Sequence, residues 1–170
     1  MGHWLPPGFV LREARDEDGA AVRALVFGVL AEYGLRPEPD GIDRDLSEPG
    51  RAYAGSGGWF AVLTVAGGSG VPAIVGTVGL MPEDDGAVEL RKMYLASGFR
   101  GGGLGSYLLS EALSEARRRG FRVIRLATAR VLREAVALYE RRGFRPVAKP
   151  PPACRCDLVM EMILEPAPGS

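Results

Sequence analysis

Apolar residues recur along the chain with two periods. The runs Phe9 to Glu13, Trp59 to Val65, Ala73 to Met81, Ala87 to Leu95, Val123 to Thr128, Phe144 to Val147 and Asp157 to Leu164 are short, rich in branched residues and bounded by Gly, Pro or Asp, which predicts strands. Elsewhere the spacing is helical. Val22, Leu25, Val26, Val29, Leu30 and Tyr33 form one stripe of a helix opened by Asp16 or Asp18. Leu104, Tyr107, Leu108, Ala112 and Ala116 predict a helix from Gly103 to Arg119 with Gly120 as its stop, and a further helix from about Leu132 to Arg142 ends at Gly143. A hairpin through Gly67, Gly68 and Gly70 and a turn at Asp84-Asp85-Gly86 make residues 59–95 a three-strand antiparallel meander. Leu35 to Gly58, rich in Pro, Gly and acids, is expected to be a long loop or lid near a site, with at most a short helix around Ile42 to Leu46.

The last strand of that meander breaks its own alternation. Val88 and Leu90 fall on even positions, Met93 and Leu95 on odd ones, so the period slips by one near Arg91 and Lys92. A β-bulge produces such a slip and frees backbone groups from the ladder; the alternative is that Lys92 or Tyr94 simply faces a mixed environment. Directly after this strand comes Arg100-Gly101-Gly102-Gly103-Leu104-Gly105-Ser106. Glycines abutting a helix start let consecutive N–H groups converge on an anion with the positive end of the helix dipole behind them. The same glycines also suit a plain connector. A nucleoside-triphosphatase loop needs Lys and then Ser or Thr after its last Gly, but Gly105 is followed by Ser106 and Tyr107. A dinucleotide fingerprint beginning at Gly101 lacks its third Gly at Ser106 and its acid near Leu126-Ala127-Thr128.

Composition narrows the function classes. The 170 residues, 46% hydrophobic and 25% charged, suit one globular domain over 1–170, with 1–7 and 166–170 as flexible tails. The longest apolar run, Ala24 to Ala31, is far short of the roughly 20 residues that cross a bilayer, and no cleavable signal pattern opens the chain, so no membrane partner and a cytoplasmic location are expected. Cys154 and Cys156, with His3 as the only histidine, give neither a zinc ligand set nor a disulfide framework, and no His-based nucleophile pair; reduced, structural thiols are expected. Net charge is zero, but residues 1–90 carry 6 basic and 14 acidic side chains, and residues 91–170 carry 15 and 7. The basic half fits a polyanion at the glycine turn, and the acidic half fits a cationic second substrate. Solvated arginine-rich helix faces explain the same asymmetry. Nucleic acid is disfavoured, because the arginines are scattered through periodic helices without interleaved aromatics.

Two segments resemble the GNAT superfamily of N-acyltransferases, which use acetyl-CoA. Glu89-Leu90-Arg91-Lys92-Met93-Tyr94-Leu95 followed by Arg100 to Gly105 resembles that family's bulged strand and [QR]-x-x-G-x-[GA] pyrophosphate loop, and Ala135 to Phe144 is similar to its second recurring segment, a helix ending in a Tyr and a Gly-Phe turn. The resemblance implies a mixed, mostly antiparallel α/β sheet of about seven strands, flanked by helices and split by the bulged strand. It implies acetyl-CoA as co-substrate and no metal. Met93, Tyr94 and Leu95 would meet the pantetheine arm, while the Arg100 side chain and the backbone of Gly101, Gly102, Gly103, Leu104, Gly105 and Ser106 would hold the pyrophosphate. A backbone N–H near Met93 would polarise the acyl carbonyl, Tyr139 would protonate the departing sulfur, and Glu89, acting through a water, is the candidate base. Tyr139 also reads as a core aromatic, and Glu89 as a solvated or ion-paired strand residue. The acceptor would be a primary amine of a small molecule or amino acid, taken by a monomer or homodimer. No family motif assigns Tyr33, Tyr53, Trp59 or Cys154 to the acceptor. Acetylation of a protein Lys or N-terminus, a catalytically silent CoA-binding module and a nucleotide-binding oxidoreductase domain are the other readings; the last needs a parallel sheet that the meander argues against.

Overall fold

In the computed structural model, which describes residues 4–151 and 155–166, seven strands form one sheet in the order β1-β2-β3-β4-β5-β7-β6. The strands are β1 (Phe9–Glu13), β2 (Trp59–Val65), β3 (Ala73–Pro82), β4 (Val88–Leu95), β5 (Val123–Thr128), β6 (Arg145–Pro146) and β7 (Leu158–Ile163). The helices are α1 (Gly19–Glu32), α2 (Pro49–Ala54), α3 (Leu104–Arg118) and α4 (Arg133–Arg141). All neighbouring strands are antiparallel except β4 and β5, which pair in parallel only from Val88 to Leu90 against Ile124 to Leu126. Helix α3 makes that crossover, as a parallel connection requires. The tail residues 1–3 and 167–170, His3 and Cys154 lie outside the described residues.

Two apolar cores sit on opposite faces of the sheet. On one face, Leu104, Leu108, Leu109, Ala112 and Ala116 of α3 and Tyr139 of α4 pack with Leu63, Leu90 and Leu126. On the other, Val22, Val26 and Leu30 of α1 pack with Tyr53 of α2, Phe60 and Val62. The helical stripe of α1 is therefore the core face its spacing predicts. Helix α2 is the departure from expectation in the 35–58 stretch. Pro49 occupies its first turn, where a missing N–H costs nothing, and Tyr53 anchors it, packing its ring against Phe60 at 4.8 Å between centroids. That docking needs Gly79, whose Cβ would come within 2.9 Å of the Tyr53 ring.

Part of the charge asymmetry between the halves is paired within the fold. Ion pairs join Lys92 and Arg155 to Asp43, Arg100 to Glu32, Arg125 to Glu83 and Asp85, and Arg91 to Glu89. Each of these links a base from the second half to an acid from the first, and all but Arg91–Glu89, which are neighbours on β4, join segments distant in the chain.

Candidate active site

The sheet opens where β4 breaks register. Gly79 pairs with Arg91 and Thr77 with Tyr94, so the single residue Val78 faces both Lys92 and Met93. This is the bulge that the alternation predicts. Lys92 adopts φ 52°, the one positive φ at a non-glycine among the described residues, a conformation that disfavours L side chains. The buried Thr77 hydroxyl fixes it by donating to the Lys92 carbonyl at 2.6 Å. As a result Met93 and Leu95 turn to the α3 face, while Arg91 and Lys92 both turn to the α1 face. β4 continues to Leu95 and β5 to Thr128, but their pairing stops at Leu90 and Leu126. A cavity of about 420 Å³ fills the gap.

One end of the cavity is the glycine turn. Gly101 and Gly103 have φ +82° and +87°, which only glycine takes without strain. Helix α3 starts at Leu104 with no side-chain cap, and its first intrahelical bond is from Tyr107 N–H to Gly103 O at 3.0 Å. The N–H groups of the preceding turn therefore have no helical acceptor. A Cβ on Gly101, Gly102 or Gly103 would meet no protein atom within 4 Å, so the turn borders open space. Gly101, Gly103, Gly105 and Ser106 line the cavity, and Arg142 brings a cation to Ser106 Oγ at 3.3 Å. Arg100 is differently engaged. Its guanidinium donates to the Leu95 carbonyl at 2.8 and 3.0 Å and to Glu32 at 2.8 Å, and lies 5.8 Å from the Tyr33 ring centroid. It straps the turn to the end of β4 and the last turn of α1.

Tyr139 projects from the last turn of α4 onto the cavity wall and is 5% exposed. The Gly143 turn lets Phe144 fold back, donating its N–H to the Tyr139 carbonyl at 3.0 Å and presenting its ring edge to Tyr139 at 5.7 Å. The Tyr139 hydroxyl makes no hydrogen bond among the described residues. Nor is it sealed, since the sealed unpartnered side-chain atoms there are Asp45 Oδ1 and Ser110 Oγ. Burial, helped by nearby Tyr94, pushes its pKa well above the ordinary phenol value, so it carries its proton throughout the physiological range. Tyr139 is thus both a core aromatic and a cavity residue. Glu89 lines the same cavity but accepts a short bond from Arg91 Nε. Cys156 lies on that wall too, with burial pushing its thiol pKa up, which leaves it a poor nucleophile at neutral pH.

Sequence reasoning missed the opposite end. Asp43, fully buried in the 35–46 segment, accepts from Lys92 Nζ, from both terminal nitrogens of Arg155 at 2.6 and 2.7 Å, and from the Glu38 N–H at 2.8 Å. Burial alone would raise its pKa; the bonds from Arg155, the Glu38 amide and Lys92 outweigh it and hold the value at about 2. Lys92 Nζ also donates to the Ile42 carbonyl at 2.8 Å and lies 3.5 Å from Asp45. Asp45 in turn accepts from the Tyr53 hydroxyl. The segment expected as a lid is bolted to the bulge. No short-range pattern could have revealed this, because the partners are 49 and 112 residues apart.

The sequence model described as the Acetyltransferase (GNAT) family matches residues 29–144, which include the bulged strand, the glycine turn and Tyr139. The chain is 34% identical over 155 residues to the "Uncharacterized N-acetyltransferase YjgM" of Escherichia coli (strain K12), covering 85% of this chain and 86% of that one. It is 39% identical over 121 residues to the "Probable N-acetyltransferase camello" of Xenopus tropicalis, covering 66% and 53%. Among solved structures, a GNAT-family acetyltransferase from Staphylococcus aureus Mu50 superposes with a TM-score of 0.82 at 22% identity over 92% of this chain and 99% of that one. The PaiA N-acetyltransferase of Thermoplasma acidophilum, solved with coenzyme A, superposes at 0.68 and 18% identity over 91% and 98%. With the split sheet, the bulge and the glycine turn assembled in that family's order, this chain belongs to the GNAT family of acetyltransferases.

Proposed function

We propose that the protein transfers an acetyl group from acetyl-CoA to the primary amine of a small molecule or amino acid by direct attack. The observation that carries this reading is the continuous cavity running from uncapped N–H donors at the head of α3, between the parted strands, to Tyr139 and Glu89. The residues fit the co-substrate. Its diphosphate suits the backbone donors of Gly101 to Ser106, with the helix dipole behind them and Arg142 beside them. Its pantetheine arm suits the edge of β4 beyond Leu90, unpaired with β5 at Met93, where an added strand can dock short of the Leu95 carbonyl that Arg100 holds. The likeness to the CoA-bound PaiA structure supports the same fit. Arg100 serves by fixing the turn, through Leu95 and Glu32, rather than as a primary phosphate donor.

Bound acetyl-CoA supplies an activated acyl carbonyl and a thiol leaving group. The Met93 N–H, on the free side of the bulge, polarises the carbonyl as an oxyanion-type donor worth roughly 3 kcal/mol in comparable sites. Tyr139 donates a hydrogen bond toward the sulfur. Its raised pKa makes full proton transfer to a thiolate uphill, since an ordinary thiol is more acidic than a buried phenol. It therefore stabilises the departing thiolate by a hydrogen bond: the ammonium first loses one proton through water to solvent, the N–C bond forms as the C–S bond breaks, and the second proton lost from nitrogen ends on the sulfur as CoA thiol. Glu89, held by Arg91 on the cavity wall, receives the incoming ammonium and acts on it through water.

The acceptor end is walled by Val29, Leu30, Leu35 and Ile42, and its buried cations are already matched by Asp43 and Asp45. An amine on an apolar body suits it better than a polycation.

The test is a panel of amines with acetyl-CoA, followed by thiol release and by the product's gain of one acetyl mass. Tyr139→Phe should lower kcat by about 100-fold while leaving CoA affinity within about twofold. Equal loss of both returns Tyr139 to a packing role. CoA binding without transfer to any amine, by the wild-type protein, leaves the silent CoA-binding module as the function.

A further inference from the structure

The buried Lys92 has no task in the chemistry above, yet its environment is unusually demanding. Its backbone sits in the left-handed region at the bulge. Its carbonyl is held by Thr77, and its ammonium is caged by Asp43 and the Ile42 carbonyl, with Asp45 beyond. A strained backbone and a desolvated cation are both costly, and surrounding structure must over-determine them if they are to persist. The next residue in the chain is Met93, whose N–H is the carbonyl-polarising donor. On the other side of the ammonium, Ile42 and Leu35 belong to the segment that walls the acceptor. Lys92 therefore joins the two halves of the site through one side chain and one peptide.

We infer that Lys92 is a positioning residue that couples the acceptor wall to the oxyanion donor: its tether to Asp43 and the Ile42 carbonyl holds the bulge in the geometry that aims the Met93 N–H at the acyl oxygen. The inference rests on the acyl-transfer reading of this cavity. It requires that loss of the tether damage transfer while leaving the glycine turn, and hence CoA binding, intact. The two regions share no polar contact through Lys92, because the turn is fixed separately by Arg100 on Leu95 and Glu32.

The experiment compares wild type with Lys92→Met, which keeps the stem and removes the charge, and Asp43→Asn, which loosens the tether from its other end. Titration with CoA gives affinity and the fraction of competent sites, and kcat is expressed per competent site. We expect Lys92→Met to lower that kcat by about tenfold or more with CoA affinity changed by less than about twofold. Asp43→Asn should act in the same direction, and the double variant should fall no further than the worse single one. Lys92→Arg should recover part of the loss. In the free protein, the amide NMR resonance of Met93 should move in Lys92→Met while those of Gly101 and Gly103 stay in place. Unchanged kcat per competent site, or an unmoved Met93 amide, overturns the inference and leaves Lys92 as a structural ion. Should Lys92→Met not fold, Asp43→Asn and Lys92→Arg carry the same kcat and resonance tests. A wild-type protein that binds no CoA is a different failure, one that overturns the acyl-transfer reading itself.

Discussion

The two ends of the cleft are held by different physics. At the head of α3 the binding surface is main chain: glycines in left-handed conformations, an uncapped helix start and an arginine strap. At the opposite end, beside the 35–46 segment, it is side chain, a buried ion cluster in which one carboxylate, Asp43, binds two cations from distant parts of the chain. Main-chain geometry is written in local sequence and serves a ligand common to a whole family. Side-chain networks are assembled by the tertiary fold and can change partner by partner, so under the proposed acyl transfer the choice of acceptor would be set there.

The contrast is broken most forcefully at Asp43. Asp43→Ala leaves Lys92 and Arg155 buried without their counter-ion, and removal of one partner of such a cluster typically costs 3–5 kcal/mol, or about that much here. We expect that loss in urea unfolding at neutral pH, with CoA affinity of the remaining folded protein nearly unchanged. A drop in CoA affinity matching the loss in stability would mean that the two ends are one cooperative unit.

Gly103→Val is the converse probe. Forcing a β-branched residue into φ +87° costs about 1–2 kcal/mol. The space around it is open, so the strain is backbone alone. CoA affinity should fall by at least about tenfold as the N–H donors splay, while the KM for the amine, measured at saturating CoA, stays the same.

This division also explains what could be read before the fold was known. Trp59 to Val65 and Val123 to Thr128 match their strands end for end, because a branched run bounded by turn residues has few other options. The bulge was legible in the misplaced parity of Met93 and Leu95, and the turn that opens α3 in Gly101 to Gly105. Helix α2 was not, since six residues beginning Pro-Gly carry almost no periodicity and are stabilised by Tyr53 packing on distant strands. The Asp43 cluster left no sequence signal at all, although its charges contribute to the imbalance between halves.

Acid supplies a gentler break at the same place. The Asp43 carboxyl is held at about 2, below its ordinary 3.8. A carboxylate whose pKa is depressed on folding contributes stability in full above its unfolded value and loses it as pH falls through the folded one. The window is therefore roughly pH 4 down to 2, and the amount about 2 kcal/mol. Urea midpoints taken at pH 6, 4 and 2.5 should show this slope in the wild type, and Asp43→Asn should flatten it. Persistence of the full slope in the variant would assign it to other carboxylates.

The smallest effect is the most discriminating about the glycine end. Arg100 faces two acceptors, the Leu95 carbonyl and Glu32, and Glu32 is 39% exposed, so solvent screens the pair and its worth is below about 1 kcal/mol. Glu32→Gln removes only the charge of that partner, weakening the pair, and leaves the guanidinium charged. If Arg100 acts as a strap, loosening it frees the turn to fluctuate, and CoA binding weakens by about two- to threefold. If the guanidinium instead swings to the diphosphate when ligand arrives, releasing it from Glu32 lowers the cost of that swing and CoA binds more tightly. The sign of a change of a few tenths of a kcal/mol, read from paired titrations at low and moderate salt, thus decides whether the one charged side chain in the turn's motif holds the ligand or holds the main chain that does.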